Sequence, residues 1–131
     1  MRVSNLTDFT LELAGTPGTN RRQLFVTGTY GNSAKLMSSI FEISNRTVQA
    51  LSVPGMTYSL SFQPMPTAIT SKAASRGGNS LGLTGAEGNL FTLLLTVSWD
   101  SVADDERIEQ HAKALFQQSE DKARELGVYS K

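Results

Sequence analysis

A carboxyl set among hydroxyls is the feature of this sequence that most invites proton chemistry. Glu12 lies in Phe9-Thr10-Leu11-Glu12-Leu13, where strand alternation puts it beside Thr10 and opposite the apolar Phe9, Leu11 and Leu13. It is the only acid that the strand patterns place on that side. A carboxyl held among short hydroxyls and apolar groups has a raised pKa and can serve as general acid or base. Gln63, Ser59, Ser61, Thr27 and Thr92 would orient a substrate, and Phe25 and Leu94 would meet its hydrocarbon. Two plainer readings stand beside these: Glu12 as an edge-strand acid in water, and Gln63 as a strand-end residue before Pro64.

Other chemistries are bounded by composition. The chain of 131 residues has no cysteine, which removes disulfides, thiolate metal sites and a Cys nucleophile. His111 is its one histidine, so multi-His metal sites are excluded; its place at the flank of a helical stripe predicts a half-buried or surface residue. Twelve basic residues balance twelve acidic ones, and a nucleic-acid binder needs a basic field that such a chain lacks. No run approaches the roughly 18 apolar residues of a membrane span. Met1 to Asn5 leads into no apolar stretch, so no signal peptide is expected and a cytoplasmic location is. Sequons at Asn5 and Asn45 are as frequent as chance allows. Arg21-Arg22 would hold an anion at a sheet edge or, more simply, be a solvated turn pair. Arg76-Gly77-Gly78-Asn79 lacks the lysine and spacing of a phosphate-binding loop.

The elements that must position these residues form one domain over 1–131. Strands are predicted at 9–13, 23–30, 57–63 and 90–99, with a shorter one at 79–83, the first two joined through Gly15 to Asn20 as an antiparallel pair. Gly31-Asn32-Ser33 starts a helix whose face is Leu36, Met37, Ile40, Phe41 and Ile43, running weakly to Val48 and Leu51 before Pro54-Gly55. Asp100-Ser101 starts a second, long helix with the stripe Ile108, Ala112, Leu115, Phe116 and Ala123, ended by Gly127. Residues 67–78 read as a long surface loop with room for one helical turn. The expected fold is α+β: an antiparallel sheet of four to five strands with two helices on one face and a ferredoxin-like character.

The strands share a pattern. Their large apolar side should meet the helices. Their other side carries short hydroxyls with Phe25, Leu90 and Leu94, and almost no charge. Sheet faces in water usually carry Lys and Glu. An uncharged face suits a ligand cavity or a subunit interface, while β-propensity alone would also place Thr and Ser there.

Three stretches carry a resemblance. Phe62-Gln63-Pro64-Met65-Pro66, then Gly77-Gly78-Asn79-Ser80-Leu81-Gly82-Leu83, then Thr96-Val97-Ser98-Trp99-Asp100 with Asp104-Asp105 resemble, in order and spacing, the C-terminal half of fungal FAD-linked oxidoreductases of the berberine-bridge-enzyme-like kind. The similarity runs from about Asp8 to Tyr129. It implies the substrate domain, an antiparallel sheet backed by helices whose open face roofs flavin and substrate. The flavin domain itself, with its glycine-rich loops and flavin-attaching residues, has no counterpart in the 131 residues, and no catalytic residue carries over.

The leading expectation is a stand-alone relative of that substrate domain. It would bind a hydrophobic secondary metabolite on the open face and catalyse an isomerisation, dehydration or cyclisation without cofactor or metal, Glu12 being the acid/base. A homodimer joined through the open faces, or a cavity shared with loop 67–78, would enclose the ligand. The alternatives are a non-catalytic helper subunit for a separate flavin protein, and a piece of a longer FAD-linked oxidoreductase. Neither nucleic acid nor membrane is expected as a partner.

Overall fold

A computed structural model of the chain describes residues 21–129, together with Thr7. The strand expected at 9–13, and Glu12 with it, lies outside the described residues.

Alternation builds the sheet. Strand β1 (Arg22–Gly31) turns Leu24, Val26 and Tyr30 to one side; helix α1 (Ala34–Gln49) follows, then β2 (Thr57–Met65), which turns Tyr58, Leu60 and Phe62 to the same side. A four-residue helix α2 (Thr67–Thr70) and a 3₁₀ turn (Ala74–Arg76) lead into β3 (Leu90–Trp99). A second 3₁₀ turn (Val102–Asp104) opens α3 (Asp105–Glu125). The sheet order is β1-β3-β2, both pairs antiparallel. The most alternating segment thus becomes the central strand, with Phe91, Leu93, Leu95, Val97 and Trp99 all buried beneath the helices. Helix α1 contributes Leu36 and Ile40 to the core, and α3 contributes Ile108, Ala112, Leu115 and Ala123.

Local chemistry sets the ends. Ser33 Oγ accepts the Leu36 N–H at 3.2 Å, capping α1 as its sequence predicts. Gly127, at φ +67°, lets the Val128 N–H reach back to the Ala123 carbonyl at 2.9 Å and closes α3. The Gly31 N–H then donates to the Val128 carbonyl at 2.7 Å, and Tyr129 bridges Tyr30 on the edge of β1. Gly28 sits inside a strand for a packing reason. A Cβ there would lie 2.8 Å from the Tyr30 hydroxyl and 3.1 Å from the Phe116 ring.

The fold is α+β with an antiparallel sheet, but the described residues form three strands, not four to five, and no ferredoxin-like arrangement emerges from them. Residues 79–83 are turn, not strand. Asn79 Oδ1 accepts the N–H groups of Leu81 and Leu83 at 3.0 and 3.1 Å, and Gly82 takes φ +68°, so side-chain bonding replaces pairing. Helix α1 stops at Gln49. Leu51 and Val53, beyond it, are buried in the connection. Phe41 is 59% exposed, because α1 packs through Leu36, Ile40 and Ser44.

Candidate functional site

The register settles how the face away from the helices is composed. Across β1, β3 and β2 it runs in five rows: Gln23-Ser98-Thr57, Phe25-Thr96-Ser59, Thr27-Leu94-Ser61, Thr29-Thr92-Gln63 and Gly31-Leu90-Met65. None of these residues is charged. With strands about 4.8 Å apart and two residues rising about 6.8 Å, the face measures about 10 by 27 Å. Seven of the eight residues named above for substrate chemistry fall on its three middle rows: Phe25, Thr27, Ser59, Ser61, Gln63, Thr92 and Leu94. Glu12, the proposed acid/base, lies outside the described residues.

The face is open over most of its length. Phe25 is 61% exposed; Thr27, Ser59, Ser61 and Gln63 are exposed, and Thr92 and Leu94 half-buried. Gln63 turns its amide back to the Pro64 carbonyl at 3.4 Å. The last row differs. Leu90 is 3% exposed although it shares the open face, so that end is closed over within the chain. There the Thr67 N–H and hydroxyl both donate to Asn89 Oδ1, at 2.9 and 3.2 Å, and Thr70 is buried. A cavity of about 520 Å³ opens beside it, walled by Met65, Ile69, Ala73 and Leu81 with Lys72 and Arg76. Sequence reasoning read 67–78 as a surface loop with one helical turn and offered a cavity shared with it, but did not name the residues that line it. No single period marks them: α2 ends at Thr70, and Lys72, Ala73 and Arg76 follow in turns.

Other candidates resolve into structure. Arg21 straps the ends of all three strands: Nε donates to Asp100 Oδ1 at 2.9 Å, one terminal nitrogen to Thr57 Oγ1 at 3.2 Å, and the other to the carbonyls of Ser98, at 3.2 Å, and Gly55. Arg22 grips both oxygens of Asp105, which also accepts the Trp99 indole N–H at 2.8 Å. The pair is neither an anion site nor a solvated turn; the protein's own acids take it up. Partial desolvation pushes the Asp105 carboxyl up, but the bonds from Arg22 and Trp99 and the guanidinium charge together hold it below the ordinary value.

On the helix side, the Tyr58 hydroxyl lies 2.8 Å from Ser44 Oγ and 3.3 Å from His111 Nε2. Burial raises the Tyr58 pKa, against the Ser44 bond, and burial lowers that of His111. His111 is half-buried, as its place on the helix predicts. A tyrosine held protonated beside a neutral imidazole ties α1, β2 and α3 together; it is no activated nucleophile. Arg76-Gly77-Gly78 has its main chain engaged too. The Gly78 N–H closes the turn on the Ala73 carbonyl at 2.8 Å, and Gly77 and Gly78 take φ +89° and +87° to allow it.

The sequence is similar along almost its whole length to fungal flavin enzymes. It is 37% identical over 98% of its length to the FAD-dependent monooxygenase elcE of Phaeosphaeria nodorum, 34% over 83% to the FAD-dependent monooxygenase sdcF of Emericella nidulans, and 30% over 98% to the FAD-dependent monooxygenase CTB5 of Cercospora nicotianae. The match takes in 39%, 24% and 28% of those proteins, so the chain spans about two fifths of their length or less. No protein-family model and no solved structure matches it. FAD in its own right would need a cradle of free backbone N–H groups for its pyrophosphate. In the Gly77-Gly78 pair the Gly78 N–H is already taken by the Ala73 carbonyl, so that turn does not offer one. No helix of the described residues is long and apolar enough to cross a membrane.

Proposed function

We propose that this chain is the substrate-side portion of an FAD-dependent monooxygenase-like assembly, laying its uncharged sheet face over a flavin and a hydrophobic metabolite held by another segment or subunit. The observation that carries the reading is the five-row neutral face on a chain whose relatives are longer flavin enzymes. Water-facing sheets carry charge; a roof over an isoalloxazine and an apolar substrate carries hydroxyls and hydrocarbon. In its finer form the assembly is of the berberine-bridge-enzyme-like kind, where a helix-backed antiparallel sheet does this. Those enzymes continue after the matching helix into a strand, and here Val128 and Tyr129 already lie on the edge of β1.

Within this reading Thr27, Ser59, Ser61, Gln63 and Thr92 orient the substrate, and Phe25 and Leu94 meet its hydrocarbon. The flavin supplies the redox chemistry, and the chain supplies orientation and exclusion of water. The stand-alone alternative, a cofactor-free isomerase, dehydratase or cyclase with Glu12 as acid/base and two open faces joined in a homodimer, rests on the same neutral face. Affinity purification of the tagged chain from its native host separates the two. The assembly reading expects a captured polypeptide carrying flavin, visible in the absorbance spectrum. A flavin-free chain that converts a metabolite alone overturns it.

A further inference from the structure

The cavity beside the last row has a composition that the neutral face lacks. Met65, Ile69, Ala73 and Leu81 give it apolar walls, and Lys72, in the turn after α2, and Arg76, at the end of the 3₁₀ turn, line it as well. Among the described residues Lys72 and Arg76 make no ion pair, as Lys35 and Arg46 do not either, whereas Arg21, Arg22, Arg107, Lys113, Lys122 and Arg124 do. Ile69 and Leu81, which both line it, are left largely exposed. Two uncommitted cations above an apolar hollow of about 520 Å³ are complementary to one kind of small molecule, hydrocarbon at one end and anionic at the other.

We propose that this cavity binds an amphipathic organic acid, an aromatic carboxylate, with its ring between Ile69 and Leu81 and its carboxylate between Lys72 and Arg76. Met65 belongs both to the cavity and to the last row of the open face, so an acid anchored here would extend along that face. The site does not depend on the flavin reading, because the residues that form it are all in this chain.

The test is amide NMR on the full chain titrated with 2-naphthoate and, separately, with its methyl ester. Saturable shifts are expected at Ile69, Lys72, Arg76 and Leu81, with the acid bound about tenfold or more tightly than the ester. K72Q/R76Q should abolish that preference while leaving the ester's affinity and the rest of the spectrum unchanged. Equal binding of acid and ester, shifts centred on Thr27 and Leu94, or no saturable binding overturns the proposal. So does binding confined to phosphatidylglycerol vesicles, which would assign the two cations to a membrane surface. A flavin-free capture in the preceding experiment would leave this result untouched.

Discussion

The central strand shows two different problems solved on its two sides. Toward the helices, Phe91, Leu93, Leu95, Val97 and Trp99 are buried, and their composition needs no explanation beyond the core. Away from the helices, Thr92, Leu94, Thr96 and Ser98 are half-exposed, flanked by exposed neighbours, and as free of charge as a core without being one. Stability accounts for the first face. It does not account for the second, since nothing in the described fold requires fifteen adjacent positions to exclude Lys and Glu. Under the proposed reading, this face is the one left for contact with something else.

Substitutions on the two sides should therefore behave differently. Leu95→Ala removes a fully buried side chain from between the helices and should cost about 2–5 kcal/mol in chemical denaturation. Its neighbour Thr96→Ala should stay within about 0.5 kcal/mol. Equal effects would mean that the open face is packed in the isolated chain. Gly28→Ala comes next. Its Cβ would enter the space of the Tyr30 hydroxyl and the Phe116 ring, and an overpacked core site of this kind costs about 1–3 kcal/mol. An unchanged midpoint would show that Phe116 and α3 can give way.

Which side a residue joins was legible wherever a period ran unbroken. Leu24, Val26 and Tyr30 face the core as alternation predicts, and Ser33 and Gly127 end their helices as their types predict. Phe41 was misplaced because the stripe 36, 37, 40, 41 is wider than the sheet beneath it; Ser44 takes the core position, where the Tyr58 hydroxyl needs a partner. The extra strand at 79–83 failed because alternation over so few residues loses to Asn79 and two flanking glycines. The partners of Arg21 and Arg22 were not legible, as Asp100 and Asp105 are some eighty residues away and register alone brings them together. The residues of the open face could be listed from the sequence; their rows could not, because strand order decides which hydroxyls are neighbours.

The polar groups on the core side sharpen the contrast through pH. Tyr58→Phe strands the Ser44 hydroxyl and His111 Nε2 and should cost about 1 kcal/mol. Burial places the folded pKa of His111 below its ordinary 6.5. The stability of the neutral ring is then complete above that value and declines as pH falls through it. His111→Gln should remove this limb from a stability-pH curve. Asp105, held below its ordinary 3.8, likewise contributes stability that disappears as pH falls through its folded pKa, and Asp105→Asn should flatten that lower limb. At the other extreme, burial, Glu120 and Tyr129 push the Tyr30 hydroxyl up to about 12. Its contribution is complete below the ordinary 10 and lost as pH rises from there through about 12, so Tyr30→Phe should remove an alkaline limb. No residue of the open face titrates, and substitutions there should leave all three limbs in place.

The smallest effect on folding is expected where the functional effect is largest. Ser61 sits on the middle row beside Leu94, exposed, its hydroxyl making no hydrogen bond among the described residues. Ser61→Lys should change the stability of the isolated chain by no more than about 0.5 kcal/mol, since a lysine there can reach water. Beneath a flavin-bearing partner, or against a second copy of the chain, the same ammonium would be buried without a counter-charge. Flavin capture in the assembly reading, or the dimer seen by light scattering in the stand-alone one, should then be lost. If Ser61→Lys alters neither folding nor association, the face meets only solvent, and its hydroxyls are there for strand propensity alone.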